Sequence, residues 1–97
     1  MSEPIKVVAT FLAKAGKTEE LGAALRVVAA ATQADQGVIF YHLHQDRKEP
    51  RRFVFFESWE SQAAIDLHDA TPHITTFFAQ IPDLVEHAEI NQLRQIG

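Results

Sequence analysis

Two stretches of this 97-residue chain have the residue types of β-strands and would be largely apolar on both faces. They run from Ile5 to Ala13 and from Arg52 to Trp59. A strand of this kind has to be covered on both sides, because apolar surface left in water is unfavourable. The rest of the chain supplies only two or three helices, which can cover one face of a sheet. These two stretches therefore constrain the fold more than any other feature does.

The first half of the chain is predicted to form a strand, a helix and a second strand. Thr18 is a candidate N-cap, because Glu19 and Glu20 follow it and the positive end of a helix dipole favours anions. Gly37 is predicted to end this helix. The next strand covers 38–45, and a hairpin loop over 46–51 follows. The predicted core stripe of the helix has residues at helical spacing: Leu21, Leu25, Val28 and Thr32.

The second half repeats this order with a divided helix. Ser61 is predicted to cap a short helix that runs to Asp69. Pro72 begins another helix, since proline is favoured at the first helical position, and Pro82 is predicted to close it. Leu84 to Ile96 is predicted to form the last strand.

This order of elements predicts one α+β domain over residues 1–97. A four-stranded antiparallel sheet with its helices packed on one face satisfies it. The other face would then be a large exposed apolar surface, of the kind that marks an interface. We therefore expect a homodimer joined through its sheet faces.

Charge and composition exclude several classes of function. Thirteen acidic residues against nine basic ones give a net charge of −4, so we expect no nucleic-acid partner. The absence of cysteine excludes thiol catalysis, thiolate zinc sites and disulfides. No apolar run approaches the roughly 20 residues of a membrane span. Residues 1–4 lack the basic and apolar regions of a signal peptide, so we expect a cytoplasmic protein without a membrane partner.

His68 is the most informative single residue. On a helical wheel it lies in an apolar stripe with Ala64, Ile65 and Leu67, so its imidazole points into the domain. It is either a core histidine bonded to a backbone carbonyl or a pocket histidine. A pocket histidine would accept a proton from a small ligand or hydrogen-bond to it.

Three further side chains have two interpretations each. His73, near a helix N-terminus, is interpreted as a rim or capping residue or as a partner of an anionic oxygen. Trp59 is interpreted as core filler or as a flat wall for an aromatic ligand with an N–H donor. Glu57 would be costly if it were buried without a partner. We expect Glu57 to pair with an arginine or to lie at the dimer interface rather than to act in catalysis.

The pair His42 and His44, with Glu49 five residues later, is similar to the metal-binding segment of cupins. The glutamate falls in a turn beside Pro50, and no second segment of that kind follows. Cupins are also all-β, whereas this chain has strong helical periodicity. No metal site is therefore predicted.

Two segments, Phe53–Ser61 and His68–His73, resemble the antibiotic biosynthesis monooxygenase domain, and in particular its small quinol-monooxygenase-like members. The opening strand, the Tyr41–His44 segment and the helix that contains Phe77 and Phe78 also fit. The resemblance therefore covers almost the whole chain.

This resemblance implies a ferredoxin-like fold that dimerises into an α/β barrel. It also implies oxygenation of a small quinol or polyphenol by O2 without flavin, haem or metal, with His68 as the base. Cavity walls would come from Trp59, Phe55 and Phe78, and His73 and Tyr41 would orient the substrate. The first strand has no asparagine, so haem degradation is not expected. A non-oxygenating isomerase or tautomerase, or a dimer that only binds a small ligand, remains as an alternative.

Overall fold

The computed structural model describes residues 3–97, and their elements follow the predicted order. Met1 and Ser2, on which part of the signal-peptide expectation rests, lie outside the described residues. Within 3–97, no helix combines the length and the hydropathy that a transmembrane helix needs. The elements are β1 (Ile5–Ala13), α1 (Thr18–Thr32), β2 (Val38–Gln45), β3 (Arg52–Trp59), α2 (Gln62–Asp69), α3 (Pro72–Leu84) and β4 (Val85–Leu93).

The four strands form one sheet in the order β2-β3-β1-β4, and every neighbouring pair is antiparallel. The predicted fold class, a ferredoxin-like α+β fold, is confirmed. The two stretches that are apolar on both faces, β1 and β3, are the two central strands. Their position follows from their composition, because a central strand has both edges paired and the least access to water.

The helices cover only one face of the sheet. On that face the odd-numbered residues of β1 and β3 are buried, as shown by Val7, Phe11 and Phe55. The opposite side, which we call the helix-free face, carries the even-numbered residues of the same strands. It includes Val8 and Val54, which are partly exposed, and Phe56, which is 48% exposed.

Both predicted ends of α1 are wrong. The N-cap is Lys17 rather than Thr18, and no side chain caps the helix there. The chain turns at Gly16, which has a φ of +79°, so it has already entered the helix at Thr18. The helix ends at Thr32 rather than at Gly37. Gly37 instead supplies a φ of +82° in the turn that leads into β2.

The predicted stop at Pro82 is also wrong, since α3 continues through this residue to Leu84. Proline lacks the N–H that would donate to the carbonyl of Phe78, and α3 extends only two residues beyond it. Lys14 satisfies the end of the helix: its ammonium donates to the carbonyl of Pro82, and its backbone N–H donates to the carbonyl of Leu84 at 2.9 Å. The last strand consequently begins at Val85 rather than at Leu84, and it ends at Leu93 rather than at the predicted Ile96.

Candidate active site

A cavity of about 170 Å³ lies between the helix-covered face of the sheet and helices α2 and α3. Its polar groups come from four elements, and among them are Tyr41 of β2, Glu57 of β3, His68 of α2 and Gln92 of β4. Most of its wall is apolar, including Val7, Ala9, Phe11, Phe55, Ile74 and Phe77. A few polar groups converging in an apolar cavity are typical of a small-molecule site.

His68 lies on the buried side of α2 and is 6% exposed. Ser61 caps this helix by accepting the N–H of Ala64 at 3.2 Å, which confirms the predicted cap. Leu67 does not belong to the buried stripe, since it is 56% exposed. At about 100° per residue it lies beside the stripe that Ala64, Ile65 and His68 form.

The partner of His68 is a carboxylate rather than the backbone carbonyl that one interpretation expected. Its Nδ1 lies 2.6 Å from Oδ2 of Asp35. When Nδ1 carries the proton and donates it to this carboxylate, Nε2 has a lone pair and can accept a proton. Since His68 lines the cavity, Nε2 is the ring atom left to interact with a ligand.

Asp35 was missed by sequence reasoning. It lies in the turn after α1, and its side chain is 9% exposed. One oxygen, Oδ2, contacts both Nδ1 of His68 and Nε2 of His73, the second at 3.1 Å. In residues 3–97 its carboxylate forms no salt bridge with lysine or arginine. Two histidines therefore supply the polar contacts of this nearly buried carboxylate.

His73 does not line the cavity. It is the second residue of α3, and its side chain borders a groove between α1 and α3 instead. Its ring centroid lies 6.0 Å from that of His68, and both rings contact Oδ2 of Asp35. The structure therefore places this predicted substrate-binding residue next to the partner of His68, outside the cavity.

Trp59 is fully buried and does not line the cavity, so its predicted role as a cavity wall is wrong. Its ring packs against that of His68, with 4.5 Å between their centroids. Its Nε1–H donates to Oε1 of Glu57 at 2.9 Å. The expected arginine partner of Glu57 is therefore wrong. Glu57 also lies on the helix-covered face, because it is an odd-numbered residue of β3.

Glu57 is a second residue that sequence reasoning did not place in the site. It lines the cavity and is 6% exposed. Burial raises its pKa to about 7, from an ordinary value of 4.5. The hydrogen bond from Trp59 stabilises the carboxylate and opposes this change in pKa, but burial has the larger effect. At neutral pH this carboxyl group can both donate and accept a proton.

The remaining predicted residues border the cavity. Tyr41 pairs with Glu57 across neighbouring strands, and its ring packs 4.5 Å from that of Phe55. Burial raises the pKa of the Tyr41 phenol, and the negative charge of Glu57 raises it further. The phenol therefore remains a hydrogen-bond donor at neutral pH. Phe78 is 40% exposed and also lines the cavity, which places its ring between the interior and solvent.

Comparisons with known proteins agree with this architecture. A sequence model of the family described as antibiotic biosynthesis monooxygenase matches residues 4–80. The uncharacterized protein sll1783 of Synechocystis is 34% identical over 83 residues, which are 86% of this chain and 56% of that protein. This chain thus spans little more than half the length of that curated relative.

Two solved structures are similar over nearly their whole length. PA3566 of Pseudomonas aeruginosa has a TM-score of 0.95 and is 34% identical, with 100% of this chain and 98% of that chain covered. SO0527 of Shewanella oneidensis has a TM-score of 0.91 and is 41% identical, with 98% and 93% covered.

Proposed function

Because this chain belongs to the antibiotic biosynthesis monooxygenase family, we propose that its cavity binds a small electron-rich hydroquinone and that O2 oxidises this substrate there. The observation that carries the proposal is the apolar cavity with an imidazole, held by a carboxylate, in its wall. This arrangement brings a proton acceptor to a substrate hydroxyl in a largely apolar cavity.

The size of the cavity limits the substrate. An apolar cavity of about 150 Å³ in another protein holds one benzene molecule. The cavity here measures about 170 Å³, which leaves room for a single ring with its hydroxyl groups. We therefore propose a monocyclic hydroquinone rather than a fused-ring polyphenol.

The proposed reaction begins with proton transfer from a substrate hydroxyl to Nε2 of His68. Asp35 fixes the required tautomer of His68 and stabilises the imidazolium that forms. The Tyr41 hydroxyl remains protonated, so it can donate a hydrogen bond to the developing phenolate. The phenolate is electron-rich enough to transfer an electron to O2 directly.

The reaction balances without an external reductant. One hydroquinone and one O2 yield one hydroxylated quinone and one water. One oxygen atom enters the ring, and the other leaves as water with the two hydrogens that the substrate loses. All four electrons that reduce O2 come from the substrate. We therefore propose that no flavin, haem or metal takes part.

We also propose that the active form is a homodimer joined through the helix-free faces. Val8, Val54 and Phe56 are apolar and partly or largely exposed on this face, and Phe40 of β2 lies beside them. A second copy of the same face would remove these side chains from water. Light scattering at micromolar protein should give twice the mass of one chain, and the mass of one chain would contradict this interface.

The activity test is O2 uptake with a panel of monocyclic hydroquinones, with products identified by mass spectrometry. The wild type should exceed autoxidation, and His68→Ala should lower the rate to near the autoxidation level. Leu67→Ala is the matched control, because this residue lies on the same helix and is exposed. Equal rates for the wild type and His68→Ala would refute the role of His68. Binding with recovery of unchanged substrate would indicate a protein that only binds the ligand.

A second candidate function is the isomerisation or tautomerisation of a small carbonyl compound. One observation favours it: Glu57, with a pKa of about 7, and the imidazole of His68 line the same cavity. A carboxyl group and an imidazole in one cavity suit proton transfer between two atoms of one substrate. Turnover under argon would support this function, and a strict requirement for O2 would exclude it.

A further inference from the structure

Three side chains with metal-ligating atoms meet at one point beside the cavity. Asp35 comes from the turn after α1, His68 from α2 and His73 from α3. One ligand atom from each lies within 4.8 Å of the other two. Their side chains are 9%, 6% and 18% exposed, so the cluster lies just below the surface.

The chemistry and the distances of the cluster fit a first-row transition metal. Two imidazoles and one carboxylate are a common set of protein ligands for zinc, leaving one position for water. Tetrahedral ligands at about 2.1 Å from the metal lie about 3.4 Å from one another. The present separations from Asp35 Oδ2 are 2.6 Å to His68 and 3.1 Å to His73. Each of these two contacts would lengthen by less than about 1 Å to admit the ion, and the two imidazole nitrogens, which lie within 4.8 Å of each other, would adjust to the same separation.

We propose that this cluster, Asp35, His68 and His73, is a site for a divalent transition metal such as Zn²⁺. The ion would lie between Asp35 and the two imidazoles, where hydrogen bonds now join them. The negative charge of the carboxylate, which has no lysine or arginine partner in residues 3–97, favours the cation. The groove that His73 borders connects the site to solvent.

Metal binding would also change the chemistry of His68, and this step rests on the proposed function. A neutral imidazole carries one proton. If Nδ1 coordinates the metal, that proton must reside on Nε2. The proposed base then becomes a hydrogen-bond donor and can no longer accept a proton from the substrate. The cation would therefore inhibit the reaction rather than assist it.

The binding test uses the full chain without a histidine tag, titrated with Zn²⁺ by isothermal calorimetry. The wild type should bind one ion per chain. Asp35→Asn and His73→Gln, each of which removes one ligand, should weaken binding by at least tenfold. Asp66→Asn is the matched control, because Asp66 is exposed on α2 and lies outside the cluster. Circular dichroism verifies that each variant is folded.

Binding that is unchanged in both Asp35→Asn and His73→Gln would overturn the proposed site. So would the absence of any Zn²⁺ binding at a concentration of about 1 mM. Mg²⁺ should not compete with Zn²⁺, since it prefers oxygen ligands. Competition by Mg²⁺ at similar concentrations would also contradict an imidazole-based site.

The change of tautomer has a test that does not depend on activity. Long-range ¹H–¹⁵N correlation spectra distinguish the protonated nitrogen of His68, which should move from Nδ1 to Nε2 when Zn²⁺ is added. A proton that stays on Nδ1 would refute the switch while leaving the metal site intact. If the switch is observed but the protein has no oxygenase activity in the absence of metal, the proposed function fails and the metal site stands.

Discussion

Replacing Glu57 with glutamine should stabilise the protein at pH 8 and change its stability little at pH 4. Glu57 has a folded-state pKa of about 7, above the ordinary value of 4.5. The folded state therefore holds its proton more tightly than the unfolded chain does. The contribution of Glu57 to the free energy of unfolding is therefore highest at low pH and falls as the pH rises from 4.5 through 7, because the unfolded chain loses the proton first. One pKa unit corresponds to about 1.4 kcal/mol, so the ionised group costs about 3 kcal/mol above pH 7.

The surroundings of Glu57 explain why the carboxylate is disfavoured. Trp59 on the same strand donates one hydrogen bond to it, and the neutral phenol of Tyr41 lies across the neighbouring strand. Val7 pairs with it from β1, and Asp69 of α2 adds a negative charge that raises the pKa of Glu57 further. Glutamine keeps an oxygen for the Trp59 donor and removes the ionisation.

The assay is urea unfolding followed by far-ultraviolet circular dichroism at several pH values between 4 and 8. Protein concentration stays fixed, because the stability of the proposed dimer would depend on it. The free-energy difference between Glu57→Gln and the wild type should grow to about 3 kcal/mol by pH 8. Glu60→Gln, a change at an exposed residue nearby, should show no such growth. A difference that is the same at pH 4 and pH 8 would refute the argument from burial.

Three further outcomes are expected. Gly37→Ala should destabilise the fold by about 2 kcal/mol or more in urea unfolding, because the new Cβ would lie 2.4 Å from Cβ of Ala64 at a φ of +82°. Gly16→Ala, with a φ of +79° and open space around it, should cost only about 1 kcal/mol, and equal costs would contradict the clash. Asp35→Asn should lower kcat on the order of 10²-fold or more and leave KM nearly unchanged, as steady-state kinetics would show, because it disturbs the tautomer of His68. A naphthohydroquinone should not be turned over at rates above autoxidation, and rapid turnover would show that the cavity admits more than one ring.

The fold could be predicted from the sequence because its signals are local. Alternation along β1 and β3 identifies strands whatever they pair with, and the order of elements leaves few topologies. The bounds of β2 and β3 were predicted without error. The errors fell at the ends of α1 and α3, where a few side chains decide the outcome, and at the C-terminal end of β4, which stops at Leu93. Lys14, far from Pro82 in the chain, satisfies the end of α3, and no local pattern indicates that.

The site was predictable only in part, because its key contacts join distant segments. His68 could be placed on the buried face of its helix from the period of that helix alone. Its partner lies 33 residues earlier in the chain, in a turn where aspartate is common for local reasons. The helical stripe therefore shows that a buried imidazole needs a partner, but not which group supplies it.

The contact between Glu57 and Trp59, unlike that between His68 and Asp35, joins two residues of one strand. Alternation already places them on one face of β3, two residues apart, and the indole N–H is a donor that a buried carboxylate can use. The hydrogen bond between Trp59 and Glu57 could therefore be predicted from the sequence, but an arginine was expected as the partner of Glu57 instead. An arginine would have held the carboxylate ionised. Trp59 provides one neutral hydrogen bond, which satisfies one carboxylate oxygen. This bond lowers the pKa of Glu57 by less than burial raises it, so the pKa stays near 7. Glu57 then lines the same cavity as His68. The choice of donor thus determines whether Glu57 is a fixed charge or a group that can exchange protons with a substrate.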